Sequence, residues 1–356
     1  MPPIRTTIFG LLAVLTLTGP AAGAGVRFDG PATEEMGCQQ NEWPCAWPYV
    51  SLAERFPQHA SARRWSWGQL SAWVQDAREQ LVEPEWPQPT EPDLHRRIRD
   101  ELDADWLWWR LGLFGGTSSP VRVGPMTSGN IHRDSDRTHL WIEDEVVLGF
   151  PAILLRPPGP GPHPAVLVIH GHNGDAHQSF DDLGGRQLAE AGFLVFAPTI
   201  RVNGASVVED AVTRVLLEDG FSILALRVYE QLLALRILRA MPDVDPARIG
   251  VLAHSGGTAG ANLAVRLAPW MAALVTDNEC QYYSEGTAQE EPVAEVLDET
   301  FPPLYPLHPA LLRYEDLPIP ALRVPYGPVA SMPQVVRFFQ DTLGAPQPSG
   351  SALRRR

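Results

Sequence analysis

The apolar positions change period near Val121. Before that point they recur at helical spacing, in Ser66 to Leu81 and again in Leu94 to Leu113, with a Pro-rich break from Glu83 to Pro92 between them. In the second stretch Trp106, Leu107, Trp109 and Leu113 fall on overlapping faces, an arrangement that suits core packing better than a sugar-binding surface. After Val121 strand patterns take over. Thr138 to Leu148 and Phe150 to Leu155 alternate and are rich in β-branched residues, and the stiff turn Pro157 to Pro162 follows them. Ala165 to Ile169 is apolar at every position, as a strand covered on both faces should be. Then come a helix-like Leu183 to Ala191, strand Phe193 to Pro198, long helix Phe221 to Arg239, strand Arg248 to Ala253, helix Thr258 to Leu267 and strand Met271 to Thr276. Strand Ala321 to Val324 and helix Met332 to Leu343 close the series. Strands alternating with helices predict a doubly wound, mostly parallel α/β sheet preceded by a helical extension.

The ends of the chain refine this division. Arg5, the short apolar run Ile8 to Leu17 and Ala22-Gly23-Ala24 form the pattern of a cleavable export signal over residues 1–24. The apolar run is shorter than a membrane span requires, and no later segment supplies one. We therefore expect a signal peptide at 1–24, a helical N-terminal extension at 25–120, the α/β domain at 121–345, a disordered tail at 346–356, and a secreted or periplasmic protein. Export permits disulfides. Of the three cysteines, Cys38 and Cys45 are spaced for a small local bridge, which leaves Cys280 free and buried, although Cys280 could replace either partner. A net charge of −14 and the lack of a long basic run argue against a nucleic-acid surface. No dinucleotide or P-loop fingerprint follows any strand.

The chemistry concentrates in Met241 to Pro269. Here an apolar strand runs into Ala253-His254-Ser255-Gly256-Gly257 and then directly into a helix. A serine on so tight a strand-to-helix turn is a nucleophile elbow, with small residues at −2 and +2 to let the helix approach the strand. The alternative is a helix start capped by Ser255, which does not explain the strand before it. Asp245-Pro246-Ala247-Arg248-Ile249-Gly250, leading into the elbow, resembles the D-P-x-R-I-G run of the dienelactone hydrolase, acetyl xylan esterase and prolyl peptidase branches of the α/β-hydrolase superfamily.

The resemblance covers Asp136 to Leu267. It implies an α/β-hydrolase fold and hydrolysis of a small-molecule carboxylic ester, of the acetyl ester or lactone type, with no cofactor and no metal. Ser255 would be the nucleophile. The oxyanion hole would be formed by Gly256, after the nucleophile, and by the loop after His170, near His172 or Asn173. His170, His172, Asp175 and His177 could also be metal ligands, but a His-Gly pair at this place already belongs to the fold. The superfamily order is Ser, acid, His. His308 is the sole histidine after Ser255, and Asp277, at the end of the next strand, is a better acid than Glu279 or Glu285. The sequence departs from the family at Pro325 to Ser331, a loop after the last strand that holds neither histidine nor carboxylate. The competing reading is a non-catalytic binding protein on the same fold that has lost the acid and histidine.

Overall fold

The computed structural model describes residues 25–28, 49–61, 64–72, 91–102, 104–126, 137–200, 207–268, 270–277 and 317–344. The signal-like segment 1–24, the tail 346–356, Cys38, Cys45, Cys280 and His308 lie outside these residues. Among the described residues no helix is long and apolar enough to cross a membrane.

The described strands are β1 (Val26–Arg27), β2 (Val121–Pro125), β3 (Thr138–Asp144), β4 (Leu148–Leu155), β5 (His163–Ile169), β6 (Leu194–Pro198), β7 (Val244–Ala253), β8 (Ala273–Thr276) and β9 (Ala321–Arg323). They form one sheet in the order β1-β2-β3-β4-β6-β5-β7-β8-β9. β2, β3, β4 and β6 pair antiparallel in turn, whereas β6, β5, β7, β8 and β9 are parallel neighbours. The parallel half is buried on both sides, which accounts for its unbroken apolar strands. Along β5 the side chains alternate. Ala165, Leu167 and Ile169 enter one core, and Val166 and Val168 enter the other.

The described helices are α1 (Leu52–Arg55), α2 (Glu91–Leu102), α3 (Asp105–Arg110), α4 (Ala176–Asp181), α5 (Gly185–Glu190), α6 (Val207–Asp219), α7 (Ile223–Ala240), α8 (Gly257–Leu267) and α9 (Met332–Leu343). One core joins α4, α5 and α9 to the sheet. The opposite core is larger and joins α7 and α8 to residues of α1, α2, α3 and α6, so the amino-terminal helices share a core with the sheet.

Three local readings change. The helix expected over Leu94 to Leu113 is two helices, because the chain leaves helical angles at Ala104 (φ −127°, ψ 24°). The break resets the helical phase, so Trp108 is fully buried while Trp109, expected in the packing face, is 48% exposed. The helix expected over Leu183 to Ala191 is preceded by a further helix, α4, and starts only after Gly184, whose φ of 90° interrupts the pair. Helix α6 was not anticipated in the sequence.

α7 is buried along almost its whole length, including Arg227, Glu230, Gln231 and Arg236. Charges survive there because each finds a partner. The Arg236 guanidinium donates to the carbonyls of Ser119 (2.8 Å) and Arg110 (3.4 Å), tying the amino-terminal region to α7. The Tyr229 hydroxyl donates to Asp144 Oδ2 at 2.8 Å, and Asp144 Oδ1 accepts from the Val146 and Val147 N–H groups. Burial still dominates. It raises the Asp144 carboxyl above the usual carboxylate range, raises the Tyr229 phenol and lowers the Arg236 guanidinium.

Candidate active site

The site grows out of strand register. Ile169 of β5 is level with Ala253 of β7, and Ala253 with Thr276 of β8. Three neighbouring strands therefore end together, and the next residues, His170, His254 and Asp277, start three adjacent loops at the carboxyl edge. From β5 the chain moves outward to β6, whereas from β7 it moves to β8 on the other side. Connections that diverge from adjacent strands leave a crevice between them, the usual place for a ligand in an open α/β sheet.

Ser255 occupies that crevice. Its φ is 47°, a left-handed conformation that a non-glycine residue adopts at a cost of about 1–3 kcal/mol. The turn is held by Gly257 N–H to the His254 carbonyl (2.9 Å) and Thr258 N–H to the Ser255 carbonyl (2.9 Å). Its small flanks are required, since a Cβ on Gly257 would stand 2.4 Å from the His170 carbonyl oxygen and Ala253 is fully buried. Gly171 packs against the serine in the same way, for a Cβ there would stand 2.5 Å from Ser255 Cβ. These contacts are those of a nucleophile elbow.

Asp277 sits beside it, 1% exposed. Its Oδ1 accepts from the Ser255 N–H (3.1 Å), and its Oδ2 accepts from His254 Nδ1–H (2.5 Å) and from the Gly327 N–H (2.9 Å). A carboxylate can only accept, so His254 carries its proton on Nδ1. The Tyr326 ring leans on the His254 ring, centroids 5.0 Å apart. The loop after β9, which lacks an acid of its own, thus supplies a backbone donor to the acid at the end of β8. Among the described residues no side chain is hydrogen-bonded to Ser255 Oγ, and the described imidazole that Asp277 holds is His254.

On the other side lies the loop after β5. His170 is fully buried, with Nε2 accepting from the Ile200 N–H (2.9 Å) and Nδ1 donating to the Gly171 carbonyl (2.8 Å). Both nitrogens serve the loop, which leaves no lone pair for a metal. Burial depresses its pKa to about 4, so the ring is neutral at pH 7. The loop continues through Asn173, whose φ of 56° suits an asparagine, to Asp175, which caps α4 by accepting from the Gln178 N–H at 2.9 Å. The His172 ring lies on Gly256, where a Cβ would stand 2.5–2.7 Å from three of its atoms. No acceptor among the described residues takes the Gly256 N–H, which is the donor expected of the residue after a nucleophile.

Sequence reading missed what lies behind His172. Glu209 of α6 has its Oε1 4.0 Å from His172 Nε2 and is paired with Arg227 of α7, and the side chains of Glu209 and Arg227 are 2% and 3% exposed. No local signal marks Glu209 as buried, since α6 brings it to the site from 37 residues beyond His172 in the chain. Gly327 was missed as well, because its part is played by a backbone N–H.

The sheet order, the sharp turn at Ser255 and the loop packed beside it are those of the α/β-hydrolase fold. Residues 150–302 match the family described as the dienelactone hydrolase family, so over this stretch the chain is dienelactone hydrolase-like. Among solved structures, the acetyl xylan esterase from Paenibacillus sp. R4 is similar at 14% identity, with 74% of this chain and 99% of that one covered and a TM-score of 0.49. Acetyl xylan esterase 1 from Thermoanaerobacterium sp. JW/SL YS485 is similar at 16% identity, covering 74% and 98%, with a TM-score of 0.41. No curated protein matches the chain in sequence.

Proposed function

We propose that the protein is a carboxylic ester hydrolase of the acetyl ester or lactone type that works through an acyl-enzyme on Ser255. One observation carries this reading: Ser255 stands at φ 47° between β7 and α8, with the buried Asp277 carboxylate bonded to its own N–H. The dienelactone hydrolase family match supports the substrate class. Ser255 Oγ attacks the ester carbonyl, and the Gly256 N–H with the His172–Asn173 segment receives the oxyanion. Collapse of the tetrahedral intermediate breaks the C–O bond, the alcohol leaves with the serine's proton, and water repeats the sequence to free the acid.

The proton carrier in this reading is His308. Asp277 has room to orient it. A carboxylate offers about four acceptor sites, and the three bonds that Asp277 receives from described residues leave one on Oδ1, the oxygen bonded to the Ser255 N–H. The amino-terminal pattern of charge, apolar run and Ala-Gly-Ala supports export of the enzyme.

A fluorophosphonate probe tests the reading before any substrate is known. The wild-type protein should be labelled, and Ser255→Ala should lose both labelling and at least roughly 10⁴-fold in turnover of p-nitrophenyl acetate while keeping its melting temperature. His308→Gln should also lose labelling. Undiminished labelling of Ser255→Ala removes Ser255 as nucleophile, and a wild-type protein that never labels favours the non-catalytic binding protein.

A further inference from the structure

Beyond the elbow, the described residues hold one buried cluster of ionisable groups that reaches the site: Glu209, Arg227 and His172. We propose that Glu209 is a positioning residue that keeps the His172 imidazole seated on Gly256 and charged, so that the ring adds a side-chain donor to the backbone N–H groups of the oxyanion hole. The inference rests on the esterase reading given above and identifies a further group serving that reaction.

The argument is geometric. The ring lies against the residue whose N–H would bind the oxyanion, with Cε1 2.5 Å and Nδ1 and Nε2 each 2.7 Å from where a Gly256 Cβ would stand. Nε2 is turned toward Glu209 at ion-pair distance. A neutral imidazole has a single N–H, and if Nε2 holds that proton toward Glu209 then Nδ1 is left as an acceptor, which would repel an oxyanion. An imidazolium carries a proton on both nitrogens, so Nδ1 stays a donor while Nε2 serves Glu209. Among the described residues, Glu209 of α6 stands at ion-pair distance from the ring, Arg227 of α7 is paired with Glu209, and His170 of the ring's own loop has both nitrogens committed to backbone groups. Arg227 opposes a charged ring, but it is paired with Glu209 Oε1, the same oxygen that stands 4.0 Å from His172 Nε2. With the imidazolium present the cluster carries one net positive charge beside the place where negative charge develops. In a site sheltered from water such a charge stabilises the transition state more than it would in solvent.

The sign of the pH effect follows. A donor that must be protonated gives activity below its pKa and loses it above, and removing the nearby carboxylate lowers that pKa. Glu209→Gln should therefore lower kcat on p-nitrophenyl acetate by about 10- to 100-fold with KM within about twofold. It should also move the falling alkaline limb of kcat to lower pH by about one unit or more. His172→Gln should abolish the limb. Independently of activity, the His172 ring signal, identified in the NMR spectrum by its loss in His172→Gln, should titrate at lower pH in Glu209→Gln than in wild type. Should Glu209→Gln not fold because Arg227 is left unpaired, Glu209→Gln/Arg227→Met removes both charges, and the same comparison is made there. Unchanged kcat and alkaline limb in the folded variant, or an unchanged His172 titration, would overturn the proposal. A wild-type protein inert to p-nitrophenyl acetate and to fluorophosphonate defeats the esterase reading, and the donor role with it. The ring titration then still decides whether Glu209 controls His172.

Discussion

Ser255, Gly256 and Gly257 carry three different constraints in three consecutive positions. Ser255 bears the backbone strain, Gly257 has no room for a Cβ beside the His170 carbonyl, and Gly256 has ordinary angles (φ −55°, ψ −22°) but the His172 ring on its face. The two glycines should therefore respond differently to alanine. Gly257→Ala meets backbone, which cannot yield, and should fold poorly. Gly256→Ala meets a side chain that can move, so stability should fall by only about 1–2 kcal/mol. Displacing the ring should then lower kcat toward p-nitrophenyl acetate by roughly tenfold or more. Measuring kcat and melting temperature on both variants checks this, and a Gly256→Ala enzyme with wild-type kcat would show that the ring has no part in turnover. At this scale the sequence was informative about Ser255, its small neighbours and the place of Asp277, because strand-turn-helix patterning is local. It was silent about His254 as a partner of Asp277, a contact made across two strands.

Between residue and molecule, two helices start where a side chain satisfies a free N–H group. Asp175 caps α4 and Ser222 caps α7 (Oγ to the Ala225 N–H, 3.3 Å). α4 has six residues, so the cap is a large share of what holds it. Asp175→Ala should lower stability by about 1 kcal/mol, read as a lower urea midpoint at constant slope. Since α4 follows directly on the 170–174 loop, p-nitrophenyl acetate turnover should fall as well. An unchanged midpoint would show that the cap contributes nothing. Elements with a strong apolar period were legible to within a few residues, α9 without error and α7 nearly so. The break at Ala104 was not, because no Gly or Pro marks it and packing of Trp106 and Trp108 decides the phase. α6 escaped for a related reason: its apolar stripe is interrupted by Glu209 and Thr213, which look solvated in the sequence and are buried in the fold.

Across the whole molecule the buried polar groups link folding to pH. His170 is neutral in the folded state with a pKa of about 4, well below the unfolded value near 6.5. A depressed folded pKa contributes stability that is fully present above about pH 6.5 and is lost as pH falls toward 4, on the order of 3 kcal/mol in all. Asp144 works in the opposite sense: its raised pKa favours the folded state most at low pH and loses that effect as pH rises above the ordinary carboxylate value, which offsets part of the histidine's effect. NMR of the folded protein should find the His170 ring neutral at pH 5, and urea midpoints should fall between pH 6.5 and 4.5. A ring that titrates near 6.5 in the folded protein would contradict both. The order of strands from β3 to β9, the sharp turn at Ser255 and the place of Asp277 at the end of the following strand were determined by the sequence alone, since each rests on periodicity or on contacts within a few residues. The tertiary structure decided which imidazole Asp277 holds, that Gly327 donates to it, and that Glu209 and Arg227 meet behind His172. Those meetings depend on strand register and on helices crossing the sheet, and groups distant in the chain carry no local mark of the neighbours that folding gives them.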